Sequence, residues 1–108
     1  MSFALRPTLT PARRAWLEKL ANEGPSYRPP GPTGHQCMQA GWTEWYYRLK
    51  DGREMSESAF LELYPRELDT DRWKMIDTKE RFRDCITPAG LAVLRSHGSR
   101  EGRDGDGI

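Results

Sequence analysis

Apolar residues between positions 10 and 23 recur at the spacing of a helix with one buried face. Thr10 and Pro11 suit the start of such a helix, because Thr accepts an exposed backbone N–H group and Pro fits the first helical position. Gly24 and Pro25 suit its end, since Gly adopts left-handed backbone angles and Pro cannot continue a helix. The residues predicted to face the core are Ala12, Trp16, Leu17 and Leu20.

The next segment, residues 26–33, reads Ser-Tyr-Arg-Pro-Pro-Gly-Pro-Thr and is too rich in Pro and Gly for a regular element. It is expected to form a stiff extended connector. Thr33 suits the cap of a short second helix that runs to Ala40 and is closed by Gly41. Cys37 and Met38 are expected to face the core from this helix.

Alternating residues after Gly41 have the period of a half-buried strand. The inward set is predicted to be Thr43, Trp45, Tyr47 and Leu49. Asp51 and Gly52 then predict a turn. A helix capped by Ser56 and ended by Pro65 follows, and residues 66–72 are expected to be a charged loop.

Two further strands are predicted at residues 73–76 and 81–86, joined by a polar turn over 77–80. A last helix is predicted from Pro88 to about Ser96. Its inward residues are expected to be Ala89, Val93 and Leu94. The pattern therefore divides the chain into an N-terminal arm (1–8), one domain (9–97) and a disordered tail (98–108) of glycines and balanced charges.

Both terminal helices begin alike, with Leu-Thr-Pro at residues 9–11 and Ile-Thr-Pro at residues 86–88. The segment Arg-Asp-Cys-Ile-Thr-Pro-Ala-Gly, residues 83–90, resembles the junction between a strand and the last helix of small winged helix-turn-helix domains, including those of phage and prophage type. The order of elements over about residues 9–96 resembles the same family. The resemblance implies an α+β, winged-helix-like fold in which the helices of both ends pack together beside a small antiparallel sheet.

In that family the helix before the first wing strand enters the major groove of DNA, and here the resemblance gives that position to residues 33–40. Gln and His side chains on it could bond base edges, while cations beside the turn at 51–52 could contact phosphate. The candidate DNA-binding residues are Arg13, Arg28, Thr33, His35, Gln36, Gln39, Arg48, Lys50 and Arg53. The alternative for Arg13 is a snorkelling arginine at a helix edge. The alternative for Arg48, Lys50 and Arg53 is a group of solvated charges.

A protein partner is the rival to double-stranded DNA. The net charge of the chain is only +1, and the Pro-rich connector replaces the helix that normally precedes the recognition helix. A protein-interaction module on a winged-helix scaffold would keep the fold without DNA contact. Trp42 and Tyr46 either lie under the predicted helix of residues 56–64 or form an exposed aromatic patch that binds a protein.

Enzyme, metal and membrane functions find little support. The zinc-ligand types present, Cys37, Cys85, His35 and His97, lack the paired spacings of metal sites and are interpreted as core thiols and surface imidazoles. Phosphate-binding loops and catalytic elbows are absent from the sequence, so we expect neither catalysis nor a cofactor. The chain has no apolar run of membrane length and no hydrophobic secretion signal, which predicts a cytoplasmic location. The oligomeric state is not predicted.

Overall fold

The computed structural model describes the backbone of residues 7–105 and the side chains of residues 7–96. Its elements in chain order are α1 (Pro11–Glu23), β1 (Ser26–Tyr27), α2 (Thr33–Gln39), β2 (Thr43–Arg48), β3 (Glu54–Ser56), α3 (Glu57–Leu63), α4 (Asp69–Met75), β4 (Arg83–Ile86) and α5 (Pro88–Gly105). The strands form one antiparallel sheet in the order β1-β4-β2-β3. The predicted α+β class and winged-helix-like arrangement are confirmed.

The helices of the two ends pack together, as predicted. Trp16, Leu17 and Leu20 of α1 are buried in one cluster with the half-buried Val93 and Leu94 of α5. Cys37 of α2 and Trp42, which precedes β2, complete this first cluster. Ala12 and Ala89, which were predicted to face this core, are exposed, so the prediction was wrong at these two positions.

The predicted caps of α1 are present. The Thr10 hydroxyl accepts the backbone N–H of Arg13 at 3.2 Å, and Pro11 occupies the first turn. At the other end Gly24 has φ 87°, a left-handed angle that residues with a side chain rarely adopt, and its N–H bonds the Leu20 carbonyl. For α2 the capping prediction was wrong, because Thr33 lies inside the helix and Pro32 precedes it without a side-chain bond.

The sheet contains two short strands that the hydrophobic pattern does not predict. Ser26 and Tyr27, expected in an extended connector, form β1 and pair with Asp84 and Arg83 of β4. Strand β3 pairs with the far half of β2 across the predicted turn at Gly52. Strand β2 is therefore central, with β4 on one side and β3 on the other.

The predicted hairpin of residues 73–76 and 81–86 is wrong. Residues 69–75, expected to be loop and strand, form α4, and Ile76 makes an isolated bridge to Leu49. The second predicted strand is present as β4. The helix is favoured by acidic residues in its first turn and basic residues in its last. Two of its ion pairs, Asp69–Arg72 and Asp71–Lys74, have the i, i+3 spacing that only a helix brings together.

A second hydrophobic cluster lies where α3 and α4 meet the sheet. Its buried members are Tyr47, Leu49, Phe60 and Ile76, and most of its half-buried neighbours are aromatic or Met. The ring of Tyr47 meets the rings of Phe60 and Phe82 at 5.5 and 5.3 Å, with interplanar angles of 79° and 71°. These edge-to-face contacts are a favoured arrangement of aromatic pairs. The cap of α3 is as predicted, since Ser56 accepts the Ala59 N–H.

The Thr-Pro-Ala-Gly segment joins α5 to the loop between α2 and β2. The Thr87 hydroxyl donates to the Gly41 carbonyl at 2.7 Å and accepts the Gly90 N–H at 3.1 Å. Gly90 is buried, and a Cβ atom there would lie 2.2 Å from the Trp42 carbonyl oxygen. The glycine of this segment is therefore required by close packing.

Helix α5 extends to Gly105, past the end predicted near Ser96. The arm predicted over residues 1–8 lies mostly outside the described residues, as do residues 106–108 of the predicted tail. Whether the tail is disordered stays a prediction. Among the described residues no helix is both long and apolar enough to cross a membrane.

Candidate functional site

Helix α2, which stands in the predicted recognition position, presents few free polar groups. His35 and Gln39 are exposed, and Thr33 is half-buried. Gln36 is engaged inside the molecule, because its Oε1 accepts a bond from Nε of Arg13 at 3.2 Å. The Arg13 guanidinium also donates to the Thr8 carbonyl at 2.6 Å. Two predicted DNA contacts thus bind each other and link α1 to α2.

Arg28 is held in a structural ion pair. Its Nε and one Nη atom donate to the two carboxylate oxygens of Asp84 at 2.9 and 3.2 Å, and Asp84 is fully buried. The guanidinium lies 4.8 Å from the centre of the Trp45 ring. A Cβ atom on Gly34 would come within 2.4 Å of the Arg28 stem, so this side chain lies tightly against α2. Arg28 supports the junction of β1, β4 and α2.

The predicted phosphate contacts lie at the opposite end of β2 from α2. Five residue steps of about 3.3 Å separate Thr43 from Arg48, which is roughly 17 Å along the strand. Arg48 pairs with Glu80 at 3.3 Å, and Arg53 pairs with Asp51 at 2.9 Å and also bonds the Tyr64 hydroxyl. Lys50 is exposed. The candidate cations therefore do not lie together on one basic face.

Trp42 and Tyr46 do not form the predicted pair. Trp42 is buried in the first cluster beneath α1 and α5, not under the helix of residues 57–63. Tyr46 is half-buried, and the Arg83 guanidinium lies 5.1 Å from its ring centre. Arg83 is itself paired with Glu54 at 2.8 Å. Trp42 precedes β2 and lies in the first cluster, whereas Tyr46 lies within the strand beside Arg83, so the two rings do not form one patch.

An exposed apolar surface includes residues of α3, which was predicted as a helix, and of the segment 66–76, which was predicted as a loop and a strand. Six large hydrophobic residues are exposed in the part of the chain that the structure describes, and four of them lie between positions 61 and 73. They are Leu61 (42% exposed), Leu63 (55%), Leu68 (70%) and Trp73 (52%). We call these four residues the α3–α4 surface. The four residues are close in sequence, and two of them, Leu61 and Trp73, also line one cleft. Exposed apolar residues that adjoin one another mark interaction sites more than single surface leucines do.

A cleft of about 370 Å³ opens beside the α3–α4 surface. Aromatic and aliphatic residues form most of its wall, and three charged side chains reach it. The lining residues are Tyr47, Glu57, Phe60, Leu61, Asp69, Arg72, Trp73 and Ile76. Leu61 and Trp73 belong to both the surface and the cleft, so the two features are continuous.

The charged groups of the cleft are fixed by internal bonds. The Tyr47 hydroxyl donates to Glu57 Oε2 at 3.0 Å, and burial together with this carboxylate raises the pKa of Tyr47 far above its usual range. Arg72 donates to the Asp69 carboxylate at 2.6 Å and to the carbonyls of Tyr64 and Pro65 at 2.8 and 3.3 Å. Arg72 therefore supports the wall of the cleft, and its charge is compensated.

Sequence reasoning missed this site for a local reason. Trp73, Lys74, Met75 and Ile76 were assigned to a strand because aromatic and β-branched residues favour strands. The acidic residues Asp69 and Asp71, placed before basic residues, were the available signal of a helix start. Exposure of Leu61 and Leu68 has no such signal, since it depends on what packs over them.

The cysteines occupy separate environments. Cys37 is buried in the first cluster, and burial raises the pKa of its thiol. Burial also raises the pKa of Cys85 to about 12, with the carboxylates of Glu44, Asp84 and Glu57 acting in the same direction. Among the described residues no group of three or more His, Cys, Asp and Glu side chains is arranged to hold a metal ion. The side chain of His97 lies outside the described residues.

Comparison of the chain with protein families, with curated proteins and with solved structures gave no match.

Proposed function

We propose that this protein is a protein-interaction module on a winged-helix-like scaffold, and that its partner docks on the α3–α4 surface. The observation that carries the proposal is the concentration of exposed leucines and Trp73 within one short stretch of chain. Leu68 is 70% exposed immediately before α4, and hydration of its apolar side chain there costs free energy. A partner that covers it would recover that free energy.

The ion pairs that the arginines already form favour a protein partner over DNA. Arg28, Arg48, Arg53, Arg72 and Arg83 each have a carboxylate partner at 3.3 Å or less. Binding to duplex DNA draws its affinity from cations that displace counterions on phosphates. Arginines already neutralised by carboxylates would have to exchange one anion for another, which weakens this source of affinity.

Double-stranded DNA stays the second candidate because His35 and Gln39 of α2 are exposed and have side chains that can bond base edges. The resemblance to winged helix-turn-helix domains and a role as a phage-type regulatory accessory factor are part of this second proposal. A cytoplasmic location is a prediction common to both candidates.

The test compares one substitution on the α3–α4 surface with a matched one elsewhere. Leu68→Glu places a charge on the proposed docking surface, and Leu91→Glu places the same charge on an exposed leucine of α5. The partner is first identified by mass spectrometry after capture from a lysate of the source cells, and is then purified and titrated. We expect Leu68→Glu to weaken binding at least tenfold and Leu91→Glu to leave it unchanged.

A second arm of the experiment tests DNA directly. The protein is titrated into a labelled random duplex at low salt, where electrostatic attraction is strongest. Duplex binding that Lys50→Glu weakens and Leu68→Glu does not would favour the DNA candidate. Equal effects of the two leucine substitutions on partner binding would overturn the assignment of the docking surface.

A further inference from the structure

We infer that the cleft between α3 and α4 receives a cationic side chain, lysine or arginine, from a basic amphipathic segment of the partner. This inference rests on the proposed function and adds the chemistry of the ligand. The apolar part of the segment would cover the α3–α4 surface, and one cation would enter the cleft beside it.

The first argument is the composition of the cleft wall. Tyr47, Phe60 and Trp73 all line it, and Trp73 is 52% exposed. The Trp73 ring packs against the Tyr47 ring, with the ring centres 6.5 Å apart at an angle of 61°, which holds it at the edge of the cleft. A solvent-accessible Trp ring is the aromatic group that best attracts an ammonium or guanidinium group.

The second argument is the position of the carboxylates. Glu57 and Asp69 both reach the cleft, one from the first turn of α3 and one from the first turn of α4. In the described part of the chain Glu57 accepts a bond from the neutral Tyr47 hydroxyl and has no ion pair, so its negative charge is not compensated by a cation. The only cation of the wall is Arg72, whose charge is already balanced by Asp69. An incoming cation thus meets net negative charge.

The third argument is the charge around the α3–α4 surface. From Glu57 to Met75 the chain has five carboxylates, Glu57, Glu62, Glu67, Asp69 and Asp71. It has three cations in the same stretch, Arg66, Arg72 and Lys74. Two of those cations pair with Asp69 and Asp71 at 2.6 and 3.7 Å. A stretch that combines exposed leucines with an excess of carboxylates is complementary to a segment with leucine-like residues on one face and lysine or arginine on the other.

The experiment uses three labelled twelve-residue peptides with identical leucine positions and with Lys, Gln or Glu at all other positions. Fluorescence anisotropy measures their binding to the full chain. We expect the Lys peptide to bind at least tenfold more tightly than the Gln peptide, and the Glu peptide to bind weakest of the three. Equal binding of the Lys and Glu peptides would overturn the inference.

Matched variants locate the cation. Glu57→Gln and Glu62→Gln remove the same charge from the same helix, but only Glu57 lines the cleft, and glutamine at this position can still accept the Tyr47 hydroxyl. We expect Glu57→Gln to lower the affinity for the Lys peptide roughly fivefold and Glu62→Gln to lower it less than twofold. Equal losses would show that general charge, not the cleft, attracts the peptide, and would overturn the inference.

A second pair of variants tests the aromatic wall. Trp73→Phe keeps a ring at the cleft, whereas Trp73→Leu keeps only apolar volume. We expect the Trp73→Phe variant to retain most of the affinity for the Lys peptide. We expect the affinity of the Trp73→Leu variant to fall severalfold. Circular dichroism of each variant checks that the domain is folded, which is expected because Trp73 is 52% exposed. Equal affinities of the two variants would overturn the part assigned to the ring.

The outcomes separate this inference from the proposed function. If Leu68→Glu abolishes binding of the natural partner while the three peptides bind equally well, the α3–α4 surface docks a protein and the cleft does not select a cation. If the Lys peptide binds by the cleft and the natural partner is unaffected by Leu68→Glu, the cleft is a cation site and the proposed docking surface is wrong.

Discussion

The two hydrophobic clusters share one sheet but differ in how they are closed. The first lies among α1, α2 and α5, and its large buried members, Trp16, Leu17 and Leu20, are covered by helices of both chain ends. The second lies under α3 and α4, and its outer side leaves Leu68 and Trp73 in solvent. The first cluster therefore provides stability, while the second also supplies a surface on which a partner can dock.

The two clusters also differ in their side chains, because the second is richer in aromatic rings. The second contains several aromatic rings in edge-to-face contact, including Tyr47, Phe60 and Phe82. Aromatic residues are enriched at protein interfaces because they combine large contact area with few rotatable bonds. Trp73, which packs on these rings, is 52% exposed and available for recognition, whereas the leucines of the first cluster are buried beneath helices.

The largest expected loss of stability comes from creating a cavity in the first cluster. Trp16→Ala should cost about 3–5 kcal/mol of unfolding free energy, because a large side chain that is 5% exposed is replaced by a cavity. Urea unfolding measures the change. Trp73→Ala is the matched substitution in the open region and should cost less than about 1 kcal/mol, since half of that ring is already in water. Similar losses at both positions would remove the contrast between the clusters.

Removal of the cation beside Asp84 should cause the next largest loss of unfolding free energy. Arg28→Met keeps the apolar stem but leaves a fully buried carboxylate without its partner, which should cost about 3 kcal/mol, the lower end for buried pairs because Arg28 is 21% exposed. Arg48→Met, at an exposed pair with Glu80, should cost less than about 1 kcal/mol. Thermal unfolding of the two variants side by side gives the comparison. Equal stabilities would contradict a structural role for the Arg28 pair.

A smaller effect is expected where α5 meets the loop before β2. Alanine normally stabilises a helix relative to glycine by about 1 kcal/mol. At Gly90 the added Cβ atom would collide with the Trp42 carbonyl, so Gly90→Ala should instead destabilise by about 1–3 kcal/mol. Leu91→Ala, at the exposed next position, is the control and should change stability by less than about 1 kcal/mol. A gain in stability at Gly90 would show that the packing there is loose.

The smallest expected effect is a slope in the pH dependence of stability. Because the pKa of Cys85 is about 12 in the folded protein and its ordinary value is 9.0, the unfolded chain releases the proton first. Stability from the protonated thiol is therefore present below pH 9 and lost as pH rises from 9 to 12. Urea unfolding at a series of pH values measures this decline, and the unfolding free energy of Cys85→Ala should fall less between pH 9 and pH 12 than that of the wild type. Parallel curves for the two proteins would contradict the prediction.

The sequence predicted those elements that carry their own start and stop signals. Helix α1 has a capping Thr10 and a terminating Gly24, so its bounds follow from local chemistry. Helix α3 likewise begins after Ser56. The packing of α1 on α5 followed from two apolar faces of similar length, and it was confirmed by the common cluster.

Other features could not be predicted because they depend on distant partners. Strand β1 has two residues, and its ladder is made with Asp84 and Arg83 far along the chain. Arg28 was a candidate DNA contact because nothing local shows that a buried Asp84 will bind it. The segment from Trp73 to Ile76 has a strand-like composition, and its helix depends on charge pairs and on the sheet beneath it.

The bond between Thr87 and Gly41 also has a consequence for how the chain is made. It joins residues separated by 46 positions, and the nearby Val93 and Leu94 cover Trp16 and Leu20 of the first helix. During synthesis the N-terminal helix therefore leaves the ribosome long before its cover exists. A chain stopped before Pro88 would lack α5 and would expose that apolar face to chaperones and proteases, so the first cluster is protected only after α5 has been made.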